Sequence, residues 1–310
     1  MHPTKAKLAA AAAFFFFKKG GGRKCGMWLW TFDGTPQKRD WEAYAKICRY
    51  ARLPYIVGPK ICNGSMWQKL PAGDRMSAGL FAEFAAAVPS TCIPWSYLYG
   101  TDPAAEAQAT VDKLKAIEDK TGRRIPGLII NVENFADKSL KWWTEKGQKS
   151  TFVTGHLTAA GVFGDIVGDF LAGGPVFGIS SYAITTWHPE IPYAVWGQSI
   201  NTWMPQSYWC TDRSGKQKVR VPAWWTTDRK AEWEAIMPGV AQVPTCPAYF
   251  HKDRNLGYCK IRGSKPEIIE VSRDFPNINL WQWDGIAAPG QSDPDKGNSN
   301  IWDAARVINA

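Results

Sequence analysis

Eight short apolar runs, most of them followed by a helical pattern, constrain this chain more than any other feature. They are Met27–Asp33, Leu53–Lys60, Thr91–Tyr99, Ile125–Glu133, Pro175–Ser181, Ser199–Gln206, Gln242–Phe250 and Ile278–Asp284. Between them lie helical patterns at 40–52, 74–88, 103–120, 154–171, 228–237 and 301–308. In the helix predicted over 103–120, Asp102 is placed to cap, Pro103 takes the first position and Gly122 follows the end. Strands that alternate with helices pair in parallel, and eight such units close into a barrel. The expected fold class is α/β, a single (β/α)8 TIM-type barrel over residues 25–310. The connections after the fifth, sixth and seventh runs carry the weakest patterns, and 207–227 reads as loop. No sequence repeat of 20–50 residues is found.

The first 24 residues stand apart. They hold six of the chain's 37 basic residues and no acid, and beyond them 31 bases face 28 acids. The net charge of +9 is therefore mostly a property of the tail. No basic run follows residue 24, so the barrel lacks the gathered charge of a nucleic-acid footprint. The tail's apolar run, Leu8 to Phe17, is shorter than the ~20 residues that span a bilayer. Residues 1–24 are read as a signal, an anchor or a disordered arm, and a membrane contact is expected only through them. An extracellular, wall-directed or phage-associated location follows.

The seven cysteines form no Cys-x-x-Cys pair and no zinc-like cluster. Cys48 and Cys92 read as core residues. A bridge involving Cys210, or one between Cys246 and Cys259, stays open. No metal site or cofactor is expected: the chain has no phosphate loop, no Gly-x-Gly-x-x-Gly and no Gly-x-Ser-x-Gly.

In such a barrel the active site lies at the strand C-terminal ends. Those ends offer Asp33, Lys60, Trp95, Tyr97, Asn131, Glu133, Tyr182, Gln206, Tyr208, Trp209, Trp281, Trp283 and Asp284. This is a set of carboxylates, amides and aromatic rings, in a chain with 17 Trp. Rings cover the flat C–H faces of sugars, and amides and carboxylates bind their hydroxyls. Residues i and i+2 of a strand share a face, so Asn131 and Glu133 are expected to point to one centre. Cleavage of a glycosidic bond needs an acid at the leaving oxygen, and Glu133 is the candidate. Against these readings stand bland ones: Glu133 as a helix cap or ion-pair partner, Asp33 and Asp284 as turn formers, Lys60 as a solvated strand end, and Trp281 and Trp283 as packing.

The motifs Trp30-Thr-Phe-Asp33, Lys60 to Gly64, Pro94-Trp-Ser-Tyr-Leu-Tyr-Gly100, Leu128-Ile-Ile-Asn-Val-Glu133, Met204-Pro-Gln-Ser-Tyr-Trp209 and Leu280-Trp-Gln-Trp-Asp284 together resemble the glycoside-hydrolase family 25 lysozymes (muramidases) and related phage-type barrel hydrolases. The resemblance spans about residues 26–309. It implies hydrolysis of peptidoglycan or a related N-acetylated polysaccharide by a monomer without cofactor. Glu133 would be the general acid/base, with Asp33 positioning the site. The chain departs from that family at Asn131, where the family has Asp. An Asn-x-Glu pair resembles endo-N-acetylglucosaminidases, in which the amide orients the substrate's own acetamido group as nucleophile. The alternative is a catalytically inactive barrel that binds glycan or serves as a phage structural module.

Overall fold

The computed structural model describes residues 22–30, 32, 39–71, 73–100, 102–133, 149–172, 176–188, 191–208, 222–248, 265–281, 283, 292–293, 297–298 and 300–310. Of the residues singled out above, Asp33, Trp209, Asp284, Cys210, Cys259 and the tail through residue 21 lie outside them.

Eight staves form the barrel: β1 (Lys24–Trp28), β2 (Tyr55–Asn63), β3 (Thr91–Tyr97), β4 (Gly127–Asn131), β5 (Val176–Tyr182), β6 (Thr202–Gln206), β7 (Thr245–Pro247) and β8 (Asn277–Trp281). Each pairs in parallel with its neighbour, and β1 pairs with both β2 and β8, which closes the sheet. The (β/α)8 barrel expected from the alternation is the fold observed. Strand β1 starts at Lys24, the last residue assigned to the tail, and ends at Trp28, well short of Asp33.

The helices are α1 (Trp41–Ala51), α2 (Ala78–Ala87), α3 (Pro103–Thr121), α4 (Lys149–Phe170), α5 (Tyr193–Trp196), α6 (Pro222–Trp225), α7 (Lys230–Ile236), α8 (Lys265–Asp274) and α9 (Asn300–Ile308). Helix α3 begins as its sequence dictates. The Asp102 side chain accepts from the Ala105 N–H, and Gly122 takes the left-handed conformation at the other end. Helix α6 corrects the expectation that 207–227 is loop throughout. Its four residues precede a 3-10 turn over Thr227–Arg229, and Trp224 and Trp225 pack edge to face.

Two apolar layers follow from strand alternation. Inward residues such as Trp28, Tyr55, Ile93, Trp95, Ile129, Val176 and Met204 fill the barrel. Outward residues such as Met27, Leu128, Ile130, Ile179, Trp203 and Leu280 meet the helices. The lower end is plugged where the Tyr55 ring lies over Gly26. A Cβ at Gly26 would come within 2.1 Å of that ring, and the Tyr55 hydroxyl donates to the Ile278 carbonyl at 3.0 Å.

Cys25, Cys48, Cys62, Cys92 and Cys246 are buried free thiols. The Cys246–Cys259 bridge is therefore not made. Burial pushes the Cys48 and Cys62 thiols up to about 11, so they behave as small core residues. No described helix is long and apolar enough to cross a membrane.

Candidate active site

Strand β4 positions the central pair. Ile129 points into the barrel while Leu128, Ile130 and Val132 face the helices. Asn131 and Glu133 continue the inward row. The backbone there is held from both sides: Leu98 N–H donates to the Asn131 carbonyl at 3.3 Å, and Val132 N–H donates to the Ser180 carbonyl at 2.8 Å. Neighbouring staves thus fix the direction in which Glu133 leaves the sheet.

Glu133 Oε1 accepts two amide hydrogen bonds, from Asn131 Nδ2 at 3.0 Å and from Gln206 Nε2 at 2.6 Å. Gln206 Nε2 also approaches Asn131 Oδ1 at 3.1 Å and Ser180 Oγ at 3.3 Å. A carboxylate only accepts, so both amides turn their nitrogens toward it. Asn131, Gln206 and Ser180 are buried, whereas Glu133 is partly open to solvent. Glu133 makes no ion pair within 4 Å among the described residues, and it caps no described helix. It is held firmly at one oxygen.

Lys60 enters the same space through an irregularity. Plain alternation from Tyr55 and Val57 would turn Lys60 outward. Instead the β2–β3 register shifts between Val57 and Lys60 and again between Lys60 and Cys62, which sets Lys60 opposite Trp95. Its Nζ lies 4.9 Å from the Trp95 ring centre, 5.0 Å from Tyr97 and 5.5 Å from Trp30. Burial lowers the Lys60 ammonium to about 8, against a smaller opposing pull from Cys62 and Glu133.

The rings form a continuous cluster. Trp28 meets Trp95 at 5.2 Å and Trp281 at 5.5 Å; Trp30 meets Trp281 at 5.7 Å; Tyr208 meets Trp281 at 6.2 Å. Trp28 and Trp95 are fully buried and make the floor, with Trp95 Nε1 donating to the Leu29 carbonyl at 3.0 Å. Trp30 stands exposed above them. Tyr182 lies beside Gln206 in the β5–β6 register and stacks on His188 at 3.6 Å.

The structure thus brings together Glu133, Asn131, Gln206, Lys60, Trp95, Tyr97, Trp281 and Tyr208, with Tyr182 beside them. It places Trp283 elsewhere. Strand β8 ends at Trp281, and Trp283 packs against Tyr44 at 5.2 Å and Trp302 at 4.9 Å in the helix-facing layer. The expectation that Trp283 lines the site is corrected accordingly.

Ser180, Trp28, Trp30 and Glu106 were missed as site or supporting residues. Alternation across Trp28 and Trp30 could have revealed that pair. Glu106 is buried and accepts the N–H groups of Tyr99, Gly100 and Asp102 at 2.9, 3.1 and 3.4 Å. It clamps the loop after β3, a role that its place in the sequence does not reveal. No described residues form a cluster able to hold a metal ion.

Sequence comparison finds no matching family model and no matching curated protein. Solved structures match by fold. A β-galactosidase from the psychrophilic Marinomonas ef1 superposes with a TM-score of 0.63 at 8% identity, over 92% of this chain and 59% of that one. A class V chitinase from Pseudomonas fluorescens Pf-5 gives 0.54 at 11%, over 93% and 100%. A mutant endo-β-N-acetylglucosaminidase from Cordyceps militaris gives 0.54 at 14%, over 100% and 98%. The chain spans 59% of the length of the Marinomonas enzyme. These similarities establish the fold of this chain, a (β/α)8 barrel.

Proposed function

We propose that this chain is a glycoside hydrolase that cleaves an N-acetylated polysaccharide, with peptidoglycan the first polymer to try. The observation that carries the reading is the convergence of Asn131 Nδ2 and Gln206 Nε2 on one oxygen of Glu133, in a cup of aromatic rings at the strand ends.

Glu133 is the proposed general acid/base. It would give a proton to the leaving oxygen and later take one from water. Asn131 is placed two residues earlier on the same inward row. In the productive complex its amide would orient the substrate's 2-acetamido group, whose oxygen attacks the anomeric carbon. Such substrate assistance replaces the second carboxylate of the usual scheme. The Cordyceps structure supports the reading. Its two substitutions, an Asp to Asn and a Glu to Gln, lie two positions apart, and it holds fucosyl-N-acetylglucosamine-Asn. The spacing is that of Asn131 and Glu133. Trp281, Tyr208 and Tyr97 are proposed to cover sugar faces.

The test is release of reducing ends from purified peptidoglycan and from chitin oligosaccharides. Wild-type release that falls by about 100- to 10,000-fold in Glu133→Gln supports general acid catalysis. Sedimentation with the polymer but no release would instead identify a barrel that binds glycan without cutting it.

A further inference from the structure

Lys60 is the one charged side chain among the described residues that is buried against the aromatic floor of the cup, with only 4% of its surface exposed. Three π faces surround its ammonium and stabilise it in part. A largely buried ammonium also gains from an anion; no described carboxylate lies within 4 Å of Nζ, and Nζ is not among the fully enclosed polar atoms, so it can be reached from the cup. Glu133 is near enough to attract it but too far to pair, and its Oε1 is already engaged by two amides. The β2 register shift puts the lysine there, where plain alternation would have left it in the helix-facing layer. Exposed Trp30 and partly exposed Tyr97 flank the open side.

We propose that Lys60 recognises a free carboxylate on the glycan, so that the substrate is an acidic polysaccharide whose N-acetylated sugar carries or adjoins that carboxylate. This inference rests on the glycan reading above and narrows it. A neutral chitin-like chain offers the ammonium only uncharged acceptors, its hydroxyl and acetamido oxygens. A uronate, or a lactyl ether freed of its peptide, offers a charged acceptor for its N–H donors while the sugar lies against the rings.

The probe is a pair of oligosaccharides from peptidoglycan strands stripped of stem peptide: one with free lactyl carboxylates, the other with the same groups converted to neutral methylamides. Affinities are measured by calorimetry in the Glu133→Gln protein, alone and combined with Lys60→Met or Lys60→Arg. Cleavage of both forms is measured in the wild type. The expected result is a preference of about 10- to 100-fold for the carboxylate form, kept in Lys60→Arg and lost in Lys60→Met. Equal affinities, or a preference that survives Lys60→Met, would overturn the proposal. Lys60-dependent preference without cleavage would sink the hydrolase reading and leave this one standing. Cleavage of both forms with equal affinity would do the reverse, and binding of neither form would overturn this proposal while the hydrolase reading would rest on the chitin oligosaccharides.

Discussion

Gln206 Nε2 lies 2.6 Å from Glu133 Oε1, joining β6 to the end of β4 across 73 residues of sequence. This contact fixes the carboxylate from the side opposite its own strand. Asn131 alone, on the same strand, would leave Glu133 free to swing. Gln206→Leu keeps the bulk and removes the donor. The expected outcome is a fall in kcat of about 10- to 100-fold with KM changed only a few-fold, the cost of losing one charge-assisted hydrogen bond. Steady-state kinetics on whichever polymer the wild type is found to cleave will check it, with an unchanged far-UV circular dichroism spectrum as the folding control.

Lys60→Met should raise stability at neutral pH. The ammonium ordinarily titrates near 10.5 and is lowered to about 8 in the fold. Below about pH 8 both folded and unfolded chains are protonated, and the fold bears the whole cost of burying the charge. Between about 8 and 10.5 the unfolded chain binds more protons, so wild-type stability rises with pH. The advantage of Lys60→Met should reach up to about 3 kcal/mol at pH 7 and fade by pH 10. Urea unfolding at the two pH values measures it. An advantage that grows with pH would contradict the burial assigned to Lys60.

Glu106→Ala leaves three backbone N–H groups of the β3–α3 loop without their acceptor. A loss of about 2–4 kcal/mol is expected, because each buried orphan donor costs about 1–3 kcal/mol and the opened loop admits some water. Because the loop carries Tyr99 and follows Tyr97 directly, KM should rise as well. Thermal melts and substrate titrations report the two effects separately.

Gly26→Ala drives a methyl into the Tyr55 ring at the barrel floor. Overpacking of this kind costs about 1–3 kcal/mol. The pairing of Gly26 with Tyr55 is confirmed if Tyr55→Leu restores part of the loss in the double variant, as denaturant unfolding would show.

How much of this was legible beforehand depends on the kind of physical signal. The alternation of apolar runs and amphipathic stretches determined the barrel, because period-2 and period-3.6 patterns are local properties of the chain. Helix α3 was readable to its caps for the same reason, and Asn131 and Glu133 could be placed on one face of β4 by strand parity alone. Where local rules fail, only the tertiary structure decided. Lys60 faces the cup because an extra residue in β2 shifts its register against β3, which no parity count anticipates. Trp283 shares the parity of Trp281, yet the strand ends between them and Trp283 joins Tyr44 and Trp302. Gln206 and Ser180 meet Asn131 and Glu133 only because barrel closure sets β4, β5 and β6 side by side, and Glu106 reaches back to a loop that precedes its own helix. Sequence thus fixes which residues each strand can present. The closed sheet, through register and strand length, decides which of them share one centre.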